Sequence, residues 1–149
     1  MSDKYDPIRL KNQLCFPLYL CAKEVTRKYT PILEKLGLTY TQYVVMMYLW
    51  EQDGCTVNQI SSSLMLDPST LTPLLKKLEN KGYITRTRSE TDERSLNIVL
   101  TETGEALKED ALSVPEQMKC CIGLTPEEGA TLCGLIMKIL NNISENEKE

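Results

Sequence analysis

The stretch DPSTLTPLLKKLENKGYITRTRSETDERSLNIVLT, residues 67 to 101, decides the fold. Asp67 is a residue type that caps helix N-termini, and Pro68 takes the first helical position, where its missing N–H costs nothing. Gly82 suits the end of the same helix. The apolar residues between them share helical spacing and are Leu71, Leu74, Leu75 and Leu78. The stretch therefore begins with an amphipathic helix that turns one face to the core.

The opposite face of this helix is polar, with short hydroxyl side chains near its start and amines further along. Its members are Ser69, Thr70, Thr72, Pro73, Lys76 and Lys77. A solvated surface helix has the same spacing, so spacing alone does not assign a function. Hydroxyls and amines also suit base edges and phosphates in a major groove. We expect Ser69, Thr70, Thr72 and Lys76 to make the main contacts if this helix reads DNA.

After Gly82 the sequence changes to the pattern of a β-hairpin. Residues 83 to 88 and 95 to 100 are rich in β-branched side chains and flank a polar tip at 89 to 94. Arg86 and Arg88 alternate along the first strand, where we expect them to meet phosphates. The sequence therefore predicts a charged hairpin directly after the polar-faced helix.

A second helix precedes the polar-faced one. Thr56 to Gln59 reads as a capping box, and only a tight turn separates the helix that it opens from Asp67. Two helices joined in this way form a helix-turn-helix, and the hairpin supplies a wing. The predicted fold is mainly α (α+β), a winged helix-turn-helix of the kind that reads DNA.

Charge is segregated along the chain. Residues 67 to 100 hold six basic and five acidic side chains, residues 101 to 149 hold four and ten, and residues 1 to 35 hold seven and four. The chain as a whole has a net charge of −4. Binding to DNA must therefore come from a local patch, because the rest of the surface repels phosphate.

Helix-start signals recur along the rest of the chain, at Asp6-Pro7, Thr39, Thr101 and Thr125. We expect four helices, two strands and two more helices in one domain spanning 1–149, with a single long helix after Thr101. The first predicted helix places on one side Leu10, Leu14, Leu18 and Cys21.

The two ends of the chain carry more apolar helical surface than a small winged-helix core can cover. We therefore predict that residues 1–38 and 101–149 form dimerisation helices around a DNA-binding region at 39–100. A two-fold homodimer would present two reading helices to double-stranded DNA with a palindromic operator.

Cellular location and cofactors follow from what the sequence lacks. No apolar run approaches the roughly 20 residues of a membrane helix, and the N-terminus has no apolar signal core, so we expect a cytoplasmic protein without membrane contact. With no histidine and no C-x-x-C pair, we predict no metal and no cofactor. The cysteines, expected to be reduced at rest, are Cys15, Cys21, Cys55, Cys120, Cys121 and Cys133.

Several motifs carry a resemblance to one family of DNA-binding proteins. The wing sequence has a D-x-R-S pattern at Asp92, Arg94 and Ser95, and further matching segments are residues 10 to 16, Tyr19, Tyr29, and residues 38 to 43, 49 to 51 and 71 to 76. On these residues the chain resembles the MarR family of dimeric winged-helix repressors over nearly its whole length. Within that family it is most similar to the organic hydroperoxide resistance repressors.

The resemblance implies a redox sensor at Cys15. In that branch the cysteine near the N-terminus reacts with peroxide, and tyrosines matching Tyr29 and Tyr40 hydrogen-bond its sulfur across the dimer, with Tyr19 nearby. Only a thiolate attacks a peroxide O–O bond, so such donors suit the chemistry. The family also implies that Arg94 enters the minor groove, with Asp92 orienting it.

The fate of an oxidised Cys15 depends on a second thiol. The resemblance implies a resolving cysteine from the other subunit in the region of Cys120 and Cys121, with Cys120 favoured, and a low-molecular-weight thiol is the competing partner. The remaining cysteines are interpreted as structural and are Cys21, Cys55 and Cys133. Pro17 lies two residues after Cys15, and we expect it to kink or break the first helix there.

Three functions remain open from the sequence. The first is a repressor that releases its operator when Cys15 is oxidised by an oxidant or forms a mixed disulfide with a low-molecular-weight thiol. The second is a repressor that responds to a small aromatic ligand while Cys15 merely packs. The third is a thiol peroxidase that uses Cys15 catalytically, and against it stands the lack of any recognisable peroxidase motif.

Overall fold

The computed structural model describes residues 4–88 and 96–146. Its helices are α1 Cys15–Leu33, α2 Tyr40–Glu51, α3 Val57–Leu64, α4 Pro68–Asn80, α5 Glu102–Ala111, α6 Val114–Ile122 and α7 Pro126–Asn146. Its strands are β1 Cys55–Thr56, β2 Ile84–Arg88 and β3 Leu96–Leu100, and short 3-10 turns cover Asp6–Ile8, Leu10–Asn12 and Glu34–Leu36. This arrangement confirms the mainly α (α+β) winged-helix prediction.

The core lies between α2, α3, α4 and the sheet. Capping boxes at Thr39 and Thr56 start α2 and α3 as the sequence predicts. The side chains that fill the centre are fully buried and include Val45, Met46, Leu49, Ile60, Leu71, Leu75, Leu78, Ile84 and Ile98. Burial of each such side chain contributes about 1.5–3 kcal/mol, so this cluster holds the two helices of the helix-turn-helix against the wing.

The sheet has three antiparallel strands in the order β1-β3-β2. β2 and β3 pair from Ile84 opposite Leu100 to Arg88 opposite Leu96, which is the predicted hairpin. Cys55 pairs with Ile98 in the short strand β1, which the sequence analysis did not predict. A strand of two residues is too short to leave a periodic pattern.

The first helix begins later than predicted. Residues 6 to 12 form two 3-10 turns, and α1 starts at Cys15. Pro17 is therefore the third residue of the helix, in the first turn, where backbone N–H groups have no intrahelical partner. The predicted kink or break at Pro17 is wrong for this reason, and α1 continues from Cys15 to Leu33.

The single long helix predicted after Thr101 is also wrong. The chain forms α5 up to Ala111 and then restarts as α6 at Val114, with Pro115 in the first turn. A proline in a helix interior removes a hydrogen bond, so a new helix start accommodates it at lower cost. Cys120 and Cys121 consequently lie in the last turn of α6.

Large apolar surfaces remain open at both ends of the chain. None of the residues of α7, all of which are described, is buried. The exposed large apolar side chains at the two ends include Leu10, Leu14, Phe16, Leu20, Ile122, Leu124, Leu132, Leu135, Ile136, Leu140 and Ile143. No helix within residues 4–88 and 96–146 combines the length and the apolar character needed to cross a bilayer.

Candidate DNA interface and thiol site

The two faces of α4 separate as the sequence predicts. Leu71, Leu74, Leu75 and Leu78 are buried. The side chains on the other face are all exposed and are Ser69, Thr70, Thr72, Pro73, Lys76 and Lys77. The predicted reading helix therefore presents its hydroxyls and amines together on one open surface.

The N-terminus of α4 is fixed by Asp67. Its carboxylate accepts a hydrogen bond from the backbone N–H of Ser69 at 2.7 Å. Hydrogen bonds from the Ser69 side chain and backbone hold the pKa of the Asp67 carboxyl below its ordinary value. The cap orients the start of the reading helix, and the negative charge offsets the positive end of the helix dipole.

Thr72 is less free to donate than the sequence suggests. Its hydroxyl donates to the carbonyl oxygen of Pro68 at 2.9 Å, one turn earlier. In this state its oxygen can only accept a hydrogen bond from a base or a water molecule. The Ser69 hydroxyl is likewise engaged with the Asp67 carboxylate, whereas Thr70 and Lys76 are exposed, and their contacts with DNA stay predictions.

The turn between α3 and α4 contains Met65 in the left-handed region, with φ 51°. Its side chain is 71% exposed. The turn is closed by a hydrogen bond from the Leu66 N–H to the Ser61 carbonyl at 3.0 Å and by the Ser61 hydroxyl, which donates to the Leu66 carbonyl at 2.6 Å. These bonds fix the direction in which α4 leaves α3.

Arg86 is placed differently from the prediction of a free phosphate contact. Its guanidinium Nη2 lies 2.6 Å from Oε2 of Glu79 on α4, and its Nε donates to the same oxygen at 2.8 Å. This interaction holds the pKa of the Glu79 carboxyl below its ordinary value. Arg88, two residues on along the same strand, is exposed. Asp92 and Arg94, predicted at the wing tip, lie outside the described residues.

Sequence reasoning missed Glu79 as a functional residue. It is seven residues from Arg86, and Gly82, with φ 77°, reverses the chain between them. The pair could have been identified from the order of three features in the sequence. An acidic residue ends the helix, a glycine turn follows, and the next strand carries an arginine.

A second polar joint connects the base of the wing to the corner between α1 and α2. The Lys81 ammonium donates to the carbonyl of Gly37 and, at 3.1 Å, to Oε1 of the buried Gln42. The Tyr83 hydroxyl donates to the carbonyl of Leu36 at 3.2 Å. The base of the wing is thus tied to the segment that connects α1 to α2.

Cys15 and its predicted tyrosine partners are separated within one chain. Cys15 is exposed at the first residue of α1. Tyr29 lies fourteen residues later on the same helix, which at 1.5 Å per residue places it about 21 Å away. Tyr29 and Tyr40 contact each other, with ring centroids 4.9 Å apart. Tyr19, four residues after Cys15, shares its face of α1 and is 63% exposed.

Tyr29 is partly buried beside two other phenols. Burial raises its pKa above the ordinary value of a phenol, and the nearby Tyr40 and Tyr43 phenols add to the rise. Tyr29 therefore keeps its proton at neutral pH and is available as a hydrogen-bond donor. The structure brings Tyr29 and Tyr40 together but does not bring Cys15 of the same chain to them.

The comparisons with known proteins agree with this architecture. A family model described as Transcriptional regulator SarA/Rot matches residues 27–111. The organic hydroperoxide resistance transcriptional regulator of Bacillus subtilis is 47% identical over 132 residues, covering 89% of this chain and 88% of that protein. The chain belongs to the SarA/Rot–MarR family of winged-helix transcriptional regulators.

Solved members of this regulator family include AbfR of Staphylococcus epidermidis. Reduced AbfR bound to DNA has a TM-score of 0.78 and 34% identity, covering 99% of this chain and 100% of that chain. AbfR in a disulfide form has a TM-score of 0.63 and 34% identity, covering 98% of this chain and 97% of that chain.

Membership in the SarA/Rot–MarR family decides between the classes of function. Its members are DNA-binding transcriptional regulators and form dimers, which confirms the predicted DNA partner and homodimer. The peroxidase interpretation is set aside because the family does not consist of enzymes.

The remaining cysteines of this regulator divide by exposure. Cys55 is buried, and burial raises the pKa of its thiol, as befits a packing residue. Cys21 on α1 and Cys133 on α7 are exposed within the chain, so the predicted structural role does not come from the core of one subunit. Cys120 and Cys121 are exposed as well.

Proposed function

We propose that the protein is a cytoplasmic repressor that senses organic hydroperoxides or related oxidants through Cys15 and then releases a palindromic operator. The position of Cys15 carries the proposal: its thiol is exposed at the first residue of a helix, outside the core. This exposure lets a peroxide reach the sulfur, whose thiolate is the form that reacts. The 47% identity to a regulator of organic hydroperoxide resistance supports the inducer class.

The first step is a two-electron oxidation of sulfur. The Cys15 thiolate attacks one oxygen of the hydroperoxide, the O–O bond breaks, and an alcohol leaves after taking up a proton. Cys15 becomes a sulfenic acid. A second thiolate then attacks that sulfur, the S–S bond forms as the S–O bond breaks, and the leaving hydroxide takes up a proton from solvent to become water.

The tyrosine donors must come from the partner subunit. About 21 Å of helix separates Cys15 from Tyr29 of the same chain, well beyond a hydrogen bond. In an antiparallel pairing of two copies of α1, Cys15 approaches Tyr29 and Tyr40 of the partner subunit. Their phenol O–H groups then donate to the sulfur and stabilise the thiolate.

Helix geometry favours Cys120 as the resolving thiol. Val114 and Met118 are the buried residues of α6, and α6 packs against α1. Cys121 follows them at spacings of seven and three residues and continues their stripe, whereas Cys120 lies on the other side of the helix. Both thiols are exposed, and we assign the resolving role to Cys120 because it lies on the side of α6 opposite Val114 and Met118. A low-molecular-weight thiol is the alternative resolving partner.

The output requires the dimer. We assign the open apolar faces of residues 1–38 and 101–149 to the subunit interface and residues 39–100 to DNA binding. Ser69, Thr70 and Lys76 of each α4 enter the major groove of one half-site, and Arg88 and Arg94 of the wing contact the flanking DNA. Oxidation at the interface changes the separation of the two reading helices and lowers operator affinity.

Peptide mapping of the oxidised dimer tests the sensing step. One equivalent of cumene hydroperoxide should give a disulfide-linked dimer on a non-reducing gel, with Cys15 joined to Cys120. Cys15→Ser and Cys120→Ser should abolish the link, and Cys133→Ser, another exposed thiol, should leave it intact. A link that persists in Cys15→Ser, with Cys15 reduced in the wild type, contradicts the proposal.

A second candidate inducer is a small aromatic ligand. A cavity of about 330 Å³ lies between the end of α1 and the α5–α6 junction, and its lining combines the apolar Ile32, Leu36 and Val114 with polar side chains that include Lys35, Asp110 and Gln117. That volume is at the lower end of ligand pockets. Release of the operator by benzoate from both wild type and Cys15→Ser would favour this candidate over thiol oxidation.

A further inference from the structure

The contact between Glu79 and Arg86 joins the two DNA-reading elements. Besides the guanidinium contacts, the Arg86 backbone N–H donates to Oε1 of Glu79 at 3.2 Å. One carboxylate therefore accepts two hydrogen bonds from Arg86 and makes a 2.6 Å ion-pair contact with its Nη2. The side chains are 22% and 33% exposed, so the pair is more shielded than the ion pairs elsewhere in the described chain.

The geometry restrains the angle between the reading helix and the wing. Glu79 lies in the last turn of α4, and β2 begins only two residues after Gly82, whose φ of 77° lets the chain reverse. A glycine turn by itself leaves the hairpin free to pivot. The Glu79 carboxylate bonds to both the backbone and the side chain of Arg86, which fixes the strand at a point beyond the pivot.

The same contact makes the positive charge of Arg86 less available to a DNA phosphate. A guanidinium beside a carboxylate has its charge largely compensated at close range, and the Nε and Nη2 of Arg86 are held at Glu79. Arg88 on the same strand is exposed and remains suited to a phosphate.

We propose that Glu79 and Arg86 are positioning residues that hold the wing at the angle needed for simultaneous contact of α4 and the wing with DNA. The sequence-based assignment of Arg86 to a phosphate contact is replaced by this role. Two attached elements bind one duplex tightly only when their relative placement is preset, because otherwise binding must order it.

The test compares operator affinity and its salt dependence for Arg86→Gln, Glu79→Gln and the double variant. The control is Arg88→Gln, which removes an equivalent cation from the same strand. Affinities are measured by fluorescence anisotropy between 50 and 300 mM KCl. Loss of the positioning contact predicts that both single variants bind about tenfold more weakly with an unchanged salt slope. The double variant should be no weaker than either single variant.

A phosphate contact predicts the opposite pattern. Arg86→Gln would then lower the salt slope by about 0.9, as expected for Arg88→Gln, and Glu79→Gln would leave binding unchanged or tighten it. That outcome overturns the proposal. If the neutral variants do not fold, Arg86→Lys keeps the charge but not the paired donors. Positioning then predicts weaker binding at an unchanged slope, and wild-type affinity contradicts it.

Discussion

Gly104 is the glycine at which an added Cβ would meet the closest backbone contact. A Cβ built there would lie 2.0 Å from the carbonyl oxygen of Tyr83 and 2.9 Å from its carbonyl carbon. These are backbone atoms at the start of the wing, and the Gly104 carbonyl itself accepts a hydrogen bond from the Trp50 indole at 2.9 Å. No side chain can be moved aside to make room.

Gly104→Ala should destabilise the protein by about 3 kcal/mol, the upper end for overpacked sites. Urea unfolding followed by circular dichroism measures the change. Glu105→Ala, at the next and exposed position of α5, should stay within about 0.5 kcal/mol of the wild type. Equal stability of Gly104→Ala and the wild type would mean that α5 does not cross Tyr83 this closely.

Met65 is strained in its backbone and not in its side chain. The side chain is exposed, but the φ of 51° lies in the left-handed region. Left-handed φ costs a non-glycine residue about 1–2 kcal/mol. Met65→Gly should therefore raise the unfolding free energy by about 0.5–1 kcal/mol after the extra chain entropy of glycine. Met65→Ala keeps the strain and should not gain stability. A gain in the alanine variant as well would place the cost in the exposed side chain.

Single residues show why part of the structure could be predicted and part could not. Asp67 and Pro68 act on their own neighbours, so their roles are legible in the sequence. The constraint on Gly104 comes from Tyr83, and the charge of Arg86 is compensated by Glu79 across a turn. Such contacts exist only after folding, and no local pattern reports them.

The reading helix is the element whose stability should depend most clearly on pH. The pKa of Asp67 is lowered in the folded state by its bonds to Ser69. Its contribution is therefore complete above the unfolded pKa of about 3.9 and is lost as the pH falls through the folded value.

Asp67→Asn keeps a capping side chain without the titrating group. The wild type should be more stable than this variant at pH 7, and the difference should shrink as the pH falls below about 4. Thermal unfolding at fixed protein concentration from pH 7 to pH 2.5 measures it. A difference that stays constant over this range would show that the charge of Asp67 does not stabilise α4.

The elements that sequence reasoning misplaced both involve proline. Pro17 was expected to break a helix that starts at Asp6, whereas the helix starts at Cys15 and the proline lies in its first turn. Pro115 lies in the first turn of a new helix, α6, where the apolar pattern had predicted one continuous helix. A proline marks either a break or a start, and the choice depends on where the preceding backbone goes.

The whole molecule is a regulator whose end helices need a second copy. α7 carries apolar side chains that its own chain leaves exposed, among them Leu135 at 56% and Leu140 at 39%. A carboxylate at a subunit interface without a partner is costly to bury. Leu135→Asp should therefore weaken dimerisation at least about tenfold.

Sedimentation equilibrium measures the dimer dissociation constant of Leu135→Asp. Asn141→Asp adds the same charge on the polar side of α7 and should leave the dimer unchanged. Operator affinity should fall together with dimerisation, because both half-sites must be filled for tight binding. A fully dimeric Leu135→Asp would move the interface away from this face of α7.

At this scale the sequence pattern predicted the winged helix, which follows from periodic apolar faces and is confirmed, and the dimerisation role of the terminal helices stays a prediction. The relation between Cys15 and the tyrosines could not be predicted in this way. Tyr29 and Tyr40 meet through packing of α1 on α2, and we propose that Cys15 reaches the tyrosines of the partner subunit. The resemblance supplied that expectation, and the length of α1 gives it a physical reason.

Operator binding during oxidation tests the central claim that Cys15 controls DNA release. Anisotropy of a labelled operator is followed while cumene hydroperoxide is added to the wild type and to Cys15→Ser. The account predicts that the wild type releases the operator near one equivalent per subunit and rebinds after dithiothreitol, while Cys15→Ser stays bound. Equal release by both proteins would contradict it.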